Sequence, residues 1–89
     1  MISYQEALIL SSTRVDLGQL KRDIAYQAVS KNKDKTFDDR VALAFIDKLI
    51  SYEMLCRDRS GFILMTDKGL NELREFKDEI SDFVKTIEI

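Results

Sequence analysis

Hydrophobic and polar positions divide the chain into four helix-like segments and one strand-like stretch. The first segment, residues 3–13, begins with Ser3 and Glu6, which are spaced as a capping box and lead into a short apolar run. It ends in the Ser-Ser-Thr sequence at 11–13, whose hydroxyls compete with helical hydrogen bonds. We therefore expect a short first helix buried in the core.

A second segment predicts a helix that begins at Asp16. Asp16 and Gln19 are again spaced as a capping box. The apolar positions that recur at helical spacing and should face inward are Leu17, Leu20, Ile24 and Ala28. Residues 30–35 follow as a polar stretch with three lysines, which indicates a loop.

A third segment predicts a helix over residues 37–52. Thr36 is the expected cap, and Asp38 and Asp39 place two carboxylates in the first turn, where the helix dipole favours them. The inward stripe consists of Ala42, Phe45, Ile46 and Leu49, and the opposite side carries Arg40, Leu43, Asp47 and Ser51.

Between residues 54 and 66 the pattern changes from helix to strand. Residues 55–57 and 62–65 are short, rich in apolar or β-forming residues, and separated by four residues that include Gly61. Such a loop suits a hairpin with a turn followed by a residue in the left-handed region. Thr66 then stands where the cap of another helix belongs.

The longest helical segment runs from residue 67 to about residue 86. Its apolar positions step by three and four residues, which is the spacing of a heptad seam. A domain this small has little surface to cover the distal part of that seam, so a second copy is expected to bury it; an intramolecular core face is the alternative. The predicted dimer interface comprises Phe76, Ile80, Phe83, Val84 and Ile87.

Composition fits one small folded domain, with residues 1–66 as core and hairpin and residues 67–89 as the C-terminal helix. The 89 residues are 45% hydrophobic and 34% charged, which is typical of a globular chain. The single cysteine, and the lack of a signal-like start or a long apolar run, predict a cytoplasmic protein without membrane association. With no histidine and no glycine-rich phosphate loop, we expect no catalytic residue, metal or cofactor, and hence no enzyme.

The stretch around the hairpin carries two motifs of a known family. Leu49, Met54-Leu55 and Arg57 match its pattern of L, four residues, L-I, one residue and R, and residues 63–69, ILMTDKG, are similar to its Y-x-L-T-x-K-G. Over about residues 5–76 the chain resembles PadR-like and MarR-like winged helix-turn-helix regulators. Glu53 departs from the family, which usually has glycine there. The resemblance implies a mostly α fold with a β-hairpin, in the order α1-α2-α3-hairpin-α4, whose long last helix dimerises.

The same resemblance implies a small sequence-specific DNA-binding protein that acts as a dimeric transcriptional regulator on double-stranded DNA. Its third helix would enter the major groove, where Arg40 and, as weaker candidates, Asp47 and Lys48 would contact base edges. Phosphate contacts would come from Lys21, Arg22, Lys31, Lys33, Lys35, Arg57 and Arg59. The alternative is that these side chains are solvated surface charges.

Two features of the third helix favour a protein partner instead. Asp38 and Asp39 would repel phosphate, unless they serve only as partners of the helix dipole. An outward Leu43 is better explained by a protein surface, although it could also contact a thymine methyl group. The alternative function is therefore a winged-helix interaction module, an adaptor or complex subunit that does not bind DNA.

Cys56, in the first strand, has two interpretations. Arg57 and Arg59 lie close in sequence, and nearby positive charge favours the reactive thiolate that a redox sensor needs. A free cysteine more often behaves as a small hydrophobic residue, so we expect Cys56 to fill space in the strand.

Overall fold

The computed structural model describes residues 2–32 and 35–88, with side chains described up to residue 79. Four helices and one antiparallel hairpin follow one another in the order predicted from the sequence. They are α1 (Tyr4–Ser11), α2 (Lys21–Lys31), α3 (Asp39–Ser51), β1 (Leu55–Arg57), β2 (Ile63–Met65) and α4 (Asp67–Glu88). The fold is thus mostly helical with a small two-stranded sheet, a mixed α and β architecture.

The core lies where the first three helices meet the hairpin and the first turns of α4. The large side chains that are fully buried there are Ile9, Leu10, Ile24, Ile46, Leu49, Leu55 and Ile63. The inward positions predicted for α3 are confirmed for Ala42, Ile46 and Leu49, whereas Phe45 is only partly buried. Leu73 is buried and joins α4 to this core.

Helix α1 begins and ends as its sequence predicts. The Ser3 hydroxyl accepts a hydrogen bond from the Glu6 amide at 3.2 Å, and the Ser3 amide donates to the Glu6 carboxylate at 2.9 Å, so both bonds of the capping box are present. At the other end, the hydroxyl of Thr13 donates to the Leu10 carbonyl at 2.7 Å. Local hydrogen bonding therefore defines both ends of this helix.

The predicted start of α2 is wrong. The helix begins at Lys21, five residues after Asp16, and its cap position is Leu20, which makes no side-chain capping bond. Asp16 accepts two hydrogen bonds at 3.0 Å from the Arg14 guanidinium, which lowers the pKa of the Asp16 carboxyl. The helix also continues through Ser30 to Lys31, residues that were predicted to form a loop.

Backbone pairing with the hairpin explains the late start of α2. The Gln19 amide donates to the Ile63 carbonyl at 3.0 Å, and the Ile63 amide donates to the Gln19 carbonyl at 2.8 Å. An extended Gln19 cannot also occupy the first turn of a helix. Leu17 and Leu20, expected to face inward from such a helix, are 54% and 41% exposed instead.

Helix α3 is capped by Asp38, not by Thr36 as predicted. The Asp38 carboxylate accepts a hydrogen bond from the Val41 amide at 3.0 Å. Phe37, directly before the cap, is buried and lies 6.0 Å from the Phe45 ring between centroids. Asp38 itself is extended, so the helix starts at Asp39, two residues later than its pattern predicts.

The predicted hairpin is confirmed, except that β2 begins at Ile63, one residue later than expected. Leu55 pairs with Met65, and Arg57 pairs with Ile63. Gly61 has a φ of 85°, the left-handed conformation expected at the end of the turn. The turn is closed by the Asp58 carboxylate, which accepts hydrogen bonds from the backbone amides of residues 60 and 62 at 2.8 and 3.0 Å.

The predicted cap of α4 is confirmed, whereas its distal seam lies outside the described side chains. The Thr66 hydroxyl accepts a hydrogen bond from the Gly69 amide at 3.1 Å. Phe76 is partly buried against the chain's own core. The other predicted interface positions, Ile80, Phe83, Val84 and Ile87, fall beyond residue 79, so their contacts stay a prediction.

Glu53, between α3 and β1, occupies a backbone conformation that disfavours side chains. Its φ is 63°, and a left-handed residue other than glycine carries a steric penalty of roughly 1–2 kcal/mol. We expect Glu53→Gly to raise the free energy of unfolding by about 0.5–1 kcal/mol after the larger chain entropy of glycine is subtracted. Urea denaturation measures this change. Glu53→Ala, which keeps the Cβ, should give no gain, and an equal loss in both variants would contradict the prediction.

Replacing Gly69, in the first turn of α4, by alanine should destabilise the fold, although alanine forms helices more readily than glycine. A Cβ at Gly69 would collide with the backbone carbonyl of Met54. Helix propensity alone favours alanine over glycine by about 1 kcal/mol. Because the collision forces the backbone to move, we expect Gly69→Ala to lower the free energy of unfolding by about 1–3 kcal/mol. Thermal or urea denaturation measures this change. Asn71→Ala, at an exposed site of the same helix, is the control and should be neutral or slightly stabilising.

Candidate functional site

A carboxylate on α3 lies between two cations from neighbouring elements. The Nζ of Lys21, the first residue of α2, is 2.7 Å from Oδ1 of Asp47. The guanidinium Nη2 of Arg57, the last residue of β1, is 4.0 Å from the same oxygen. We call Lys21, Asp47 and Arg57 the Asp47 cluster. It shows that the start of α2, the exposed face of α3 and the hairpin lie next to one another.

Three further arginines lie on or next to the elements that carry the Asp47 cluster. Arg22 follows Lys21 on α2, and Arg59 lies in the hairpin turn, two residues after Arg57. Arg40 lies about two turns before Asp47 on α3, a spacing that places both on one side of the helix. Within the described part of the chain, Arg22, Arg40 and Arg59 are exposed and none makes an ion pair. These side chains can therefore bind an anionic ligand.

Lys48 is directed away from the Asp47 cluster. Its Nζ lies 3.9 Å from the Glu6 carboxylate of α1 and 5.4 and 5.8 Å from the ring centroids of Phe45 and Tyr52. Successive side chains of a helix project about 100° apart around its axis, so Lys48 and Asp47 point in different directions. As a base-contacting residue Lys48 is thus placed less favourably than Arg40.

The predicted lysine loop is only partly a loop. Lys31 is the last residue of α2, and its Nζ donates to the Ser11 carbonyl at 3.3 Å and to the Ser12 hydroxyl at 3.2 Å. Lys35 lies exposed in a turn, and Lys33 lies outside the described residues. Lys31 thus joins α2 to the end of α1, a role that does not require a ligand.

The features that favoured a protein partner on α3 are weaker in the structure than in the sequence. The Asp38 carboxylate caps the helix, which accounts for an acidic residue at that position. Asp39 is exposed in the first turn. Leu43, expected to point outward, is instead partly buried against the core. No exposed leucine on α3 therefore demands a partner among the described residues.

An exposed apolar group beside the hairpin was not found from the sequence. Leu17 and Leu20 precede α2, and Phe62 precedes β2; all three are exposed, Phe62 by 38%. A Cβ at Gly18 would lie 2.6 Å from the Cβ of Phe62, so the two segments touch there. The glycine was the one local sign of a close approach. The missing information was the pairing of Gln19 with Ile63, which has no sequence signature.

Cys56 does not fill space, and that prediction is wrong. Its neighbour Leu55 points into the core, and because side chains alternate along a strand, Cys56 points outward and is exposed. The cross-strand partner of Cys56 is Leu64, which is partly buried. The thiol is accessible, and no neighbour within the described part of the chain identifies a reaction for it.

A shallow groove separates α1 from α4. Its volume is about 140 Å³, and nearly all of its lining is apolar. The lining residues are Tyr4, Ala7, Leu8, Ser11, Leu73, Phe76 and Lys77. Tyr4 is 54% exposed at its edge. On α4 the lining ends at Lys77, next to Phe76, the first of the predicted interface residues.

Comparison with protein-family models, with curated proteins and with solved structures gives no significant match. Among the residues that the structure describes, every helix is too short or too polar to span a bilayer. In the described ranges, no three His, Cys, Asp or Glu side chains are grouped so that they could hold a metal ion. The Asp47 cluster thus brings three elements together at one surface, and Arg22, Arg40 and Arg59 are exposed on or next to those elements.

Proposed function

We propose that this chain is a winged-helix DNA-binding protein in which α3 enters the major groove and the hairpin forms the wing. The observation that carries the proposal is the grouping of cations around α3. Lys21 and Arg57 both contact Asp47, and Arg22 and Arg59 are their close neighbours in sequence. Cationic side chains on two elements that flank a helix can neutralise backbone phosphates on either side of a groove.

Arg40 is the side chain best placed to read a base in this arrangement. It is exposed, makes no ion pair among the described residues, and shares a side of α3 with Asp47. A guanidinium can donate two hydrogen bonds to a guanine edge, a contact that discriminates by about 1–3 kcal/mol. The phosphate contacts would set the register, and Arg40 would supply the sequence preference.

A second copy of the chain is part of the proposal. The groove between α1 and α4 is apolar, and the heptad seam of α4 extends beyond it through Ile80, Phe83 and Ile87. A continuous apolar seam on a projecting helix is commonly buried between two identical helices. Such a dimer would present two reading helices to a two-fold site, with half-sites about one helical turn, roughly 34–36 Å, apart.

One observation favours the alternative, a winged-helix adaptor that binds a protein. Leu17, Leu20 and Phe62 expose apolar surface beside the hairpin, and apolar side chains gain nothing from contact with phosphates. An adaptor using this surface would bind without the steep salt dependence of a DNA complex. Duplex binding at low salt therefore distinguishes the two functions.

We expect the wild-type chain to bind a mixed-sequence duplex at low salt, with an affinity that falls steeply as salt rises. Each phosphate contact contributes about 0.9 to the slope of log K against log salt concentration, so Arg59→Ala should flatten the slope by about 1. Arg40→Ala should reduce discrimination between sites selected from random duplexes. Arg74→Ala, an exposed arginine on α4, is the matched control. Fluorescence anisotropy that detects no duplex binding at low salt would refute the DNA-binding function.

The dimer is tested separately by sedimentation velocity. Phe83→Glu places a carboxylate on the heptad seam and should convert the dimer to a monomer, because an unpaired charge at a buried interface is strongly unfavourable. Ser81→Glu adds the same charge to the same helix, two residues from position 83 and off the seam, and should remain dimeric. A monomeric wild type at tens of micromolar would contradict the predicted interface.

A further inference from the structure

The Asp47 cluster combines a carboxylate with the two cations nearest to it on neighbouring elements. Lys21 and Arg57 come from α2 and β1, and each reaches the same Oδ1 atom. The Asp47 side chain is 60% exposed and the Arg57 side chain 47% exposed. Ion pairs this exposed to solvent stabilise a fold little. Their effect on an approaching polyanion is larger, because Asp47 neutralises one of two charges that would otherwise meet phosphate.

We propose that Asp47 is a specificity-determining residue that restrains Lys21 and Arg57 from binding duplex DNA of any sequence. The inference rests on the proposed DNA-binding function. While Lys21 and Arg57 are paired with Asp47, a phosphate must displace the carboxylate to engage them. Asp47 also lies on the side of α3 that carries Arg40, so it approaches the duplex together with the base-reading side chain.

A matching sequence compensates for the displaced ion pairs. A carboxylate in the major groove accepts a hydrogen bond from the exocyclic amino group of cytosine. At a site with cytosine opposite Asp47, the carboxylate exchanges its cationic partners for that donor, and Lys21 and Arg57 turn to phosphates. At other sites Asp47 is left unpaired near negative charge. Discrimination then arises from a penalty at the wrong site as well as from contacts at the right one.

The restraint predicts that Asp47→Asn binds DNA more tightly and less selectively than the wild type. The amide keeps the shape of the side chain but releases both cations. We expect roughly tenfold tighter binding to a mixed-sequence duplex at low salt. The slope of log K against log salt concentration should steepen by up to about 1.8, or 0.9 for each of two further phosphates. Selection from random duplexes should enrich a defined cytosine with the wild type but not with Asp47→Asn.

Two comparisons connect the effect to the cluster. Glu75→Gln removes one negative charge from an exposed position on α4 and should leave affinity and slope unchanged, which excludes an effect of net charge alone. In the double variant with Lys21→Ala and Asp47→Asn, only Arg57 is left to gain a phosphate. The steepening of log K against log salt concentration should therefore be about half of that in Asp47→Asn alone. Thermal denaturation of each variant reports whether the fold is preserved, and anisotropy then measures binding of the folded protein.

The outcomes distinguish failure of the proposed restraint by Asp47 from failure of the proposed DNA-binding function. If the wild type binds duplex and Asp47→Asn matches it in affinity and slope, the restraint is overturned while the DNA-binding function stands. Weaker binding by Asp47→Asn would equally overturn the restraint and assign Asp47 a supporting contact. Duplex binding by Asp47→Asn alone would overturn both hypotheses, because a wild type that does not bind duplex at low salt has no DNA-binding function for Asp47 to restrain. If neither protein binds duplex at low salt, both hypotheses fail.

Discussion

Two hydrogen bonds between the backbones of Gln19 and Ile63 determine how the first half of the chain meets the hairpin. They keep the segment before α2 extended, so that α2 starts at Lys21. That start brings the Lys21 ammonium to Asp47 on α3, while Arg57 of β1 reaches the same carboxylate. An α2 that began at Asp16, as its capping pattern suggests, would place Lys21 in its second turn and would remove the backbone partner of Ile63.

The hairpin depends on this contact as much as α2 does. A two-stranded ribbon is marginally stable on its own in water. Here Ile63 is fully buried, and its backbone groups are satisfied by Gln19, so β2 has partners on both edges at this residue. Gly18 permits the close approach, since any side chain there would meet Phe62. The same approach leaves Leu17 and Leu20 at the surface, which is why apolar side chains lie beside a charged cluster.

Features set by neighbours in sequence could be predicted, and features set by distant contacts could not. The capping box of Ser3 and Glu6, the left-handed Gly61 and the cap at Thr66 each follow from a few adjacent residues, and all three are confirmed. Asp16 carries an equally good local signal, yet the pairing of Gln19 overrides it. The alternation along β1 decides the exposure of Cys56, and a strand of three residues gave no independent sign of its register. The candidate cations could be named from the sequence, but the pairing of Lys21 and Arg57 with Asp47 required the packed structure.

The junction between α3 and α4 is joined by several hydrogen bonds at one point. The Thr66 hydroxyl donates to the Glu53 carbonyl at 2.6 Å, the Thr66 amide donates to the Met54 carbonyl at 3.1 Å, and the Lys68 ammonium donates to the Tyr52 carbonyl at 2.8 Å. These bonds couple the end of α3 to the start of α4. In a pair of chains joined through their last helices, any tilt between the two copies would be transmitted directly to the two third helices, and the distance between them would be set by the angle at which the copies cross.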